Sequence, residues 1–147
     1  MSLNVSIRWF WLILICLVIS GCFPTHAQRK YLASIYGRSN IIHVPAAKAD
    51  SAWLRAKYFV QTYATDTIEE MSDSLVRTKL PSIIERFLHG GYGYWVYRTW
   101  NDKESVISAY VIPGHSFIPF VYPDHNDEIF IDYISSGRLP FPELILQ

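Results

Sequence analysis

This chain has little of what most often identifies a function. Its two cysteines, Cys16 and Cys22, both fall in the first 22 residues. The rest of the chain therefore offers no disulfide framework, no Cys-x-x-Cys pair and no thiol nucleophile. Charge of one sign is missing too: 13 Lys and Arg against 13 Asp and Glu leave no electrostatic footprint for nucleic acid. Repeats and low-complexity tracts are absent, as is any motif that names a reaction. The longest apolar run, Trp9 to Ile19, is 11 residues, whereas crossing a bilayer takes about 20.

What is present begins with that run. Arg8 precedes it and Ser20-Gly21-Cys22 follows. A positive n-region, an h-region of roughly 7 to 15 apolar residues and small residues at the cut make an export signal, with processing expected between Gly21 and Cys22. The alternative is a plain signal anchor, or a cysteine buried at the end of an N-terminal apolar helix.

Ile19-Ser20-Gly21-Cys22 resembles the signature of the bacterial lipoproteins: an aliphatic residue, two small residues and a cysteine. Serine stands in the second place, where alanine is more usual. The resemblance implies that the Cys22 sulfur receives a diacylglyceryl group, that the signal is removed just before it, and that the new amino terminus is acylated. Cys16 would leave with the signal. Phe23 follows Cys22 where, in diderm lipoproteins, an aspartate commonly favours the inner membrane. Its absence favours the outer membrane, facing the periplasm, if the host is diderm. The likeness covers the export segment only and carries no activity.

Signal removal would leave 126 residues, Cys22 to Gln147, enough for a single core without metal or disulfide. Trp53, Trp95, Trp100 and ten tyrosines give it a folding composition. Residues 1–21 are read as signal, 22–46 as lipidated N-terminus and tether, and 47–147 as one domain. The tether assignment rests on Pro24, Gly37 and the lack of sustained periodicity from Phe23 to Arg38. Charge is uneven: Arg29, Lys30, Arg38, Lys48, Arg55 and Lys57 face only Asp50 between Cys22 and Val60. Such a stretch either leans on anionic headgroups, at about 1 kcal/mol per basic residue, or is an ordinary solvated tether.

In the domain, Trp53, Ala56, Val60 and Tyr63 fall on one stripe, predicting a helix over Lys48–Ala64 with Asp50 capping its first turn. Thr67–Met71 and Leu75–Thr78, parted by Ser72-Asp73-Ser74, read as a hairpin. Pro81–His89 reads as a short helix between Pro and a Gly90 cap. A second hairpin joins Tyr92–Trp100 to Ser105–Pro113 through Asn101-Asp102-Lys103-Glu104. Its first strand carries aromatic residues on both faces, at least one of them expected under a helix. Asp124–Ser136 reads as a closing helix with Asp127 and Glu128 near its start, Gly137 as its stop, and Phe130, Tyr133 and Ile134 facing inward. The expected class is α+β: an N-terminal helix, an antiparallel sheet of about four strands from two hairpins, and a C-terminal helix. At the level of element order this resembles the helix-grip domains of outer-membrane assembly lipoproteins, which implies nothing about function.

Candidates for chemistry are few. His115 and His125, with Asp124 and Asp127 nearby, supply nitrogen and oxygen ligand types, but at no metal-site spacing, and read as exposed polar residues around a turn. His43 and His89 are isolated. Gly90-Gly91-Tyr92-Gly93 precedes a strand, not the helix N-terminus a phosphate cradle needs. Gly114-His115-Ser116 lacks the strand-turn-helix setting of a nucleophile elbow. Phe117-Ile118-Pro119-Phe120-Val121-Tyr122 either caps the core or marks an interface, and core packing is the expected reading. No catalytic, cofactor or metal residue is assigned, and Cys22 is the one site residue. The function expected is a lipid-anchored envelope protein that binds or assembles with an envelope partner. The alternatives are an envelope enzyme using residues such as His115 and Asp124, and an immunity or exclusion lipoprotein.

Overall fold

The structure, a computed structural model, describes residues 24–79, 92–113 and 125–145. Over these residues the chain is α+β: α1 (His26–Ile35), β1 (Ile41–Pro45), α2 (Ala46–Tyr63), β2 (Ile68–Met71), β3 (Leu75–Thr78), β4 (Tyr92–Trp100), β5 (Glu104–Pro113), α3 (Asn126–Ser136) and a 3-10 turn (Pro142–Leu144). The strands pair antiparallel in the order β1-β5-β4-β3-β2. The sheet thus has one strand more than the two hairpins supply.

That extra strand, and α1, come from the segment read as a tether. α1 is capped by Thr25, whose hydroxyl accepts from the Gln28 amide at 3.2 Å while the Gln28 side chain accepts from the Thr25 N–H at 2.6 Å. This capping box satisfies two of the helix's orphan donors. Periodicity conceals α1 because a polar residue, Gln28, opens its inward stripe, ahead of Tyr31, Leu32 and Ile35. Gln28 is buried and donates to Glu143 Oε1 at 2.7 Å. β1 then aligns Ile42 with Ile107 and Val44 with Ser105 on the edge of β5.

The predicted central helix and both hairpins form nearly where their spacing places them. α2 begins two residues earlier than expected, directly after Pro45, so Asp50 lies inside the helix and caps nothing. Its carboxylate instead accepts from Arg98 Nη2 at 2.7 Å. The turns follow side-chain chemistry: Ser72 Oγ accepts from the Leu75 N–H at 3.0 Å, and Asn101 Oδ1 accepts from Lys103 and Glu104 at 2.8 and 3.0 Å. α3 stops at Gly137, whose φ of 72° is left-handed and suits a residue without Cβ. Arg55 reaches across from α2 to donate to the Ile134 carbonyl from Nε at 2.8 Å and from Nη2 at 2.5 Å, supplying donors to a helix end that lacks them. The Pro81–His89 helix lies outside the described residues, as does the start of the closing helix at Asp124.

Phe59 sits at the centre of the core. Its ring lies 4.5 Å from Phe130 on α3, 5.9 Å from Tyr94 on β4, 4.7 Å from Tyr63 and 5.6 Å from Tyr133. Tyr94 and Phe130 meet edge to face at 5.5 Å. Ala49, Ala52 and Ala56 let α2 lie close to its neighbours, and Trp53 and Val60 complete its buried stripe. Val76, Val96, Ile107 and Ala109 form the sheet's side of the core, with Ile129 and Ile134 from α3. Phe59→Ala is expected to cost about 3–5 kcal/mol in chemical denaturation, because a large ring leaves a cavity that rigid neighbours cannot refill. On the outer face of the same helix, Leu54→Ala is expected to stay within about 0.5 kcal/mol of the parent.

Candidate binding surface

Strand alternation divides the sheet into two faces. The helices lie on the face bearing Tyr94, Val96, Ile107 and Val76. Among the described residues no helix covers the other. Across that open face run Ile41 and His43 on β1, then Val106, Ser108 and Tyr110 on β5. Trp95 and Tyr97 on β4 and Leu75 and Arg77 on β3 continue it. Trp95 lies opposite Tyr110, and Tyr97 meets Tyr110 edge to face at 6.2 Å. Ile41, Tyr97 and Tyr110 are 41, 40 and 46% exposed, and Trp95 is half-buried with its indole N–H 3.4 Å from the Thr78 carbonyl.

The edges of this face are polar. His43 Nδ1 lies 3.1 Å from Glu104 Oε2 at the β1 side, and Arg77 Nε lies 3.3 Å from Glu69 Oε2 at the β2 side. An aromatic centre ringed by charged groups is how protein interfaces are built, with Trp and Tyr the residues that most often carry binding energy. The aromatic face expected under a helix is the one bearing Tyr92 and Tyr94. The opposite one, carrying Trp95 and Tyr97, is the one with no helix over it among the described residues. Tyr110 was missed because β5 is apolar on both faces, so its own pattern does not say which faces water.

Of the residues considered for chemistry, the described ones are His43, at the edge of this surface, and His125 and Asp127, at the start of α3. His43 is an exposed rim residue. His125 precedes α3 with its Nδ1 3.6 Å from Glu128 Oε2, and the Tyr36 ring stands edge-on to it at 5.8 Å. Asp127 is exposed. Among the described residues, no three His, Cys, Asp or Glu side chains converge on a point that could hold a metal ion. Cys22, His89, His115, Asp124 and the segment Phe117 to Tyr122 lie outside the described residues, as do Gly90, Gly91 and Gly114 to Ser116.

The α1–α3 seam holds a second polar cluster. Asp132 accepts from Tyr31 Oη at 3.0 Å and from Arg38 Nη1. Burial, and then the Asp132 carboxylate, push the Tyr31 phenol upward, so it remains a neutral donor. Glu128 is also raised, by burial first and then by neighbouring Asp127, while the Gly37 N–H, 3.4 Å from its Oε1, favours the charged form. These groups tie α1 and the following turn to α3, and none is placed as a nucleophile.

Comparison with protein-family models, curated proteins and solved structures finds no match. Among the described residues, no helix is long and apolar enough to cross a membrane.

Two outcomes follow from this geometry. Tyr97→Ser with Tyr110→Ser is expected to lower unfolding free energy by about 1–3 kcal/mol in total, less than Phe59→Ala, since each ring is roughly half exposed and their edge-to-face contact is lost with it; a collapse in denaturant would show them to be core. For Glu128, a raised native pKa means that the folded state holds the proton more tightly than the unfolded chain. Its contribution is present below the ordinary value of 4.5 and is lost as pH rises above it. Glu128→Gln should flatten that decline in the thermal midpoint, read by difference from the parent.

Proposed function

We propose that this chain is a lipid-anchored bacterial cell-envelope protein that works as a non-enzymatic binding or assembly module, presenting the open face of its sheet to an envelope protein partner. Anchoring rests on Arg8, the Trp9 to Ile19 run and Ile19-Ser20-Gly21-Cys22, where two or three acyl chains at Cys22 give stable attachment and one gives only marginal attachment. With Phe23 in the second mature position, the outer membrane facing the periplasm is the location in a diderm host.

The observation that supports the binding role is the Trp95, Tyr97 and Tyr110 surface. A sheet needs only one face covered to make a core, and the second is ordinarily polar in an antiparallel sheet with a solvated side. Here it holds three aromatic rings between two charged edges. Apolar surface of this kind, rimmed by polar groups, marks a place of contact with another protein.

The test uses the full chain in its own membrane. A photo-crosslinking residue at Tyr97 or Tyr110 is expected to capture a defined partner, while the same residue at Tyr58, exposed on the outer side of α2, does not. Cys22→Ala should lose the adduct, and the N-terminal peptide of the parent should carry the added mass of acyl groups on Cys22. Equal labelling from all three positions would remove the sheet-face reading, and an unmodified Cys22 would remove the anchor.

A further inference from the structure

The α1 helix is where the anchor and the folded domain meet. From Cys22 to Thr25 there are three residue steps, at most about 11 Å of extended chain, and Thr25 is already the helix cap. On α1, His26, Arg29, Lys30 and Ala33 occupy i, i+3, i+4 and i+7, and all four are exposed. The helix contains no acidic residue. Among the described residues, ion pairs engage Arg38, His43, Lys57, Arg77, Arg98 and His125, and neither Arg29 nor Lys30. The carboxylates bonded to α1, Glu143 through Gln28 and Asp132 through Tyr31, are not engaged by its outward face.

We infer that the outward face of α1 docks on anionic phospholipid headgroups, so that the helix lies along the bilayer beside the acyl chains. This rests on the acylation of Cys22 proposed above. Chain length and charge select this occupant. Acyl chains in the hydrocarbon hold the first turn of α1 within about a Debye length, about 10 Å, of the surface. There, Arg29 and Lys30 meet a negative potential worth about fivefold in affinity for each basic residue. The anchor makes the encounter intramolecular, so even weak attraction is populated. α1 packs on α3, on the helical side of the sheet, so a bilayer against its outer face leaves Trp95, Tyr97 and Tyr110 clear.

The experiment takes the full chain, produced with its export signal and purified from membranes, into vesicles of phosphatidylcholine alone or with three-tenths phosphatidylglycerol. A fluorophore is attached through Ala33→Cys or, as control, Gln61→Cys on the outer side of α2, and a nitroxide on the lipid headgroup serves as quencher. Mass spectrometry of the N-terminal peptide reports Cys22 in the same samples. Docking predicts strong quenching at position 33 in phosphatidylglycerol vesicles, little in phosphatidylcholine and little at position 61. Arg29→Gln with Lys30→Gln is expected to lower the docked-to-free ratio about 30-fold, with the thermal midpoint unchanged. Raising salt from 0.1 to 0.5 M on the unsubstituted helix face should do likewise, through screening. If Cys22 is acylated and quenching at position 33 ignores lipid charge, salt and both substitutions, α1 docking is wrong while the anchor stands. If Cys22 carries no lipid, the anchor is wrong and the docking built on it falls as well.

Discussion

The fold depends on the ring of Phe59 lying against both Phe130 and Tyr94. These three residues come from α2, α3 and β4, elements far apart in sequence, and through them the two large helices and the sheet bury one another. Offset and edge-on contacts at 4.5 to 5.9 Å suit the ring quadrupoles and add about 0.5–1.5 kcal/mol per pair beyond area burial. They also specify register. A one-residue slip of β4 would turn Tyr94 to the open face and bring Trp95 inward, where no space is shaped for an indole. Alanines on α2 make the close approach possible.

Arg98 and Asp132 are paired charges at the seams around this core. Arg98 leaves the end of β4 between two indoles, 5.2 Å from Trp100 and 5.9 Å from Trp53, and bonds Ser105 at 3.0 Å as well as Asp50. Asp132 gathers Tyr31 and Arg38 on the opposite side. Such groups contribute modestly while paired, but losing one partner leaves the other desolvated, which is where the larger cost lies. They fasten α1 to α3 and the start of α2 to the hairpin without competing for the apolar centre.

The parts of this arrangement that could be read from the sequence are those whose local and tertiary preferences agree. Trp53, Ala56, Val60 and Tyr63 fall at helical spacing because one side of α2 is buried. Asn101 and Ser72 announce their turns because their side chains do the hydrogen bonding. Gly137 ends α3 because the backbone there requires positive φ. β1 was not legible: five residues, two of them histidine and proline, become a strand only through β5. α1 could have been found from Thr25 and Gln28, whose T-x-x-Q spacing is a capping box, but Gln28 breaks the apolar stripe. Asp50 looked like a cap because its tie to Arg98, 48 residues away, is invisible in local sequence. The open face was half legible: alternation in β4 separates Tyr94 from Trp95 and Tyr97, while nothing in the strand itself says which side the helices take.

The outermost strands give the open face a particular chemical character. β1 has five residues and ends in Pro45, which has no amide hydrogen to offer; β2 has four, carries Glu69 and Glu70, and shifts register between Ile68 and Glu70. Short, acidic, irregular or proline-bearing borders are poor templates for adding another strand. Growth of the ladder into a filament is thereby discouraged even though aromatic surface is on display. On the binding role proposed above, a partner would meet a patterned floor of side chains and not a vacant row of backbone donors and acceptors. Selectivity in that role would reside in the shape of the floor, which point substitutions can retune without disturbing the hydrogen-bonded lattice beneath it.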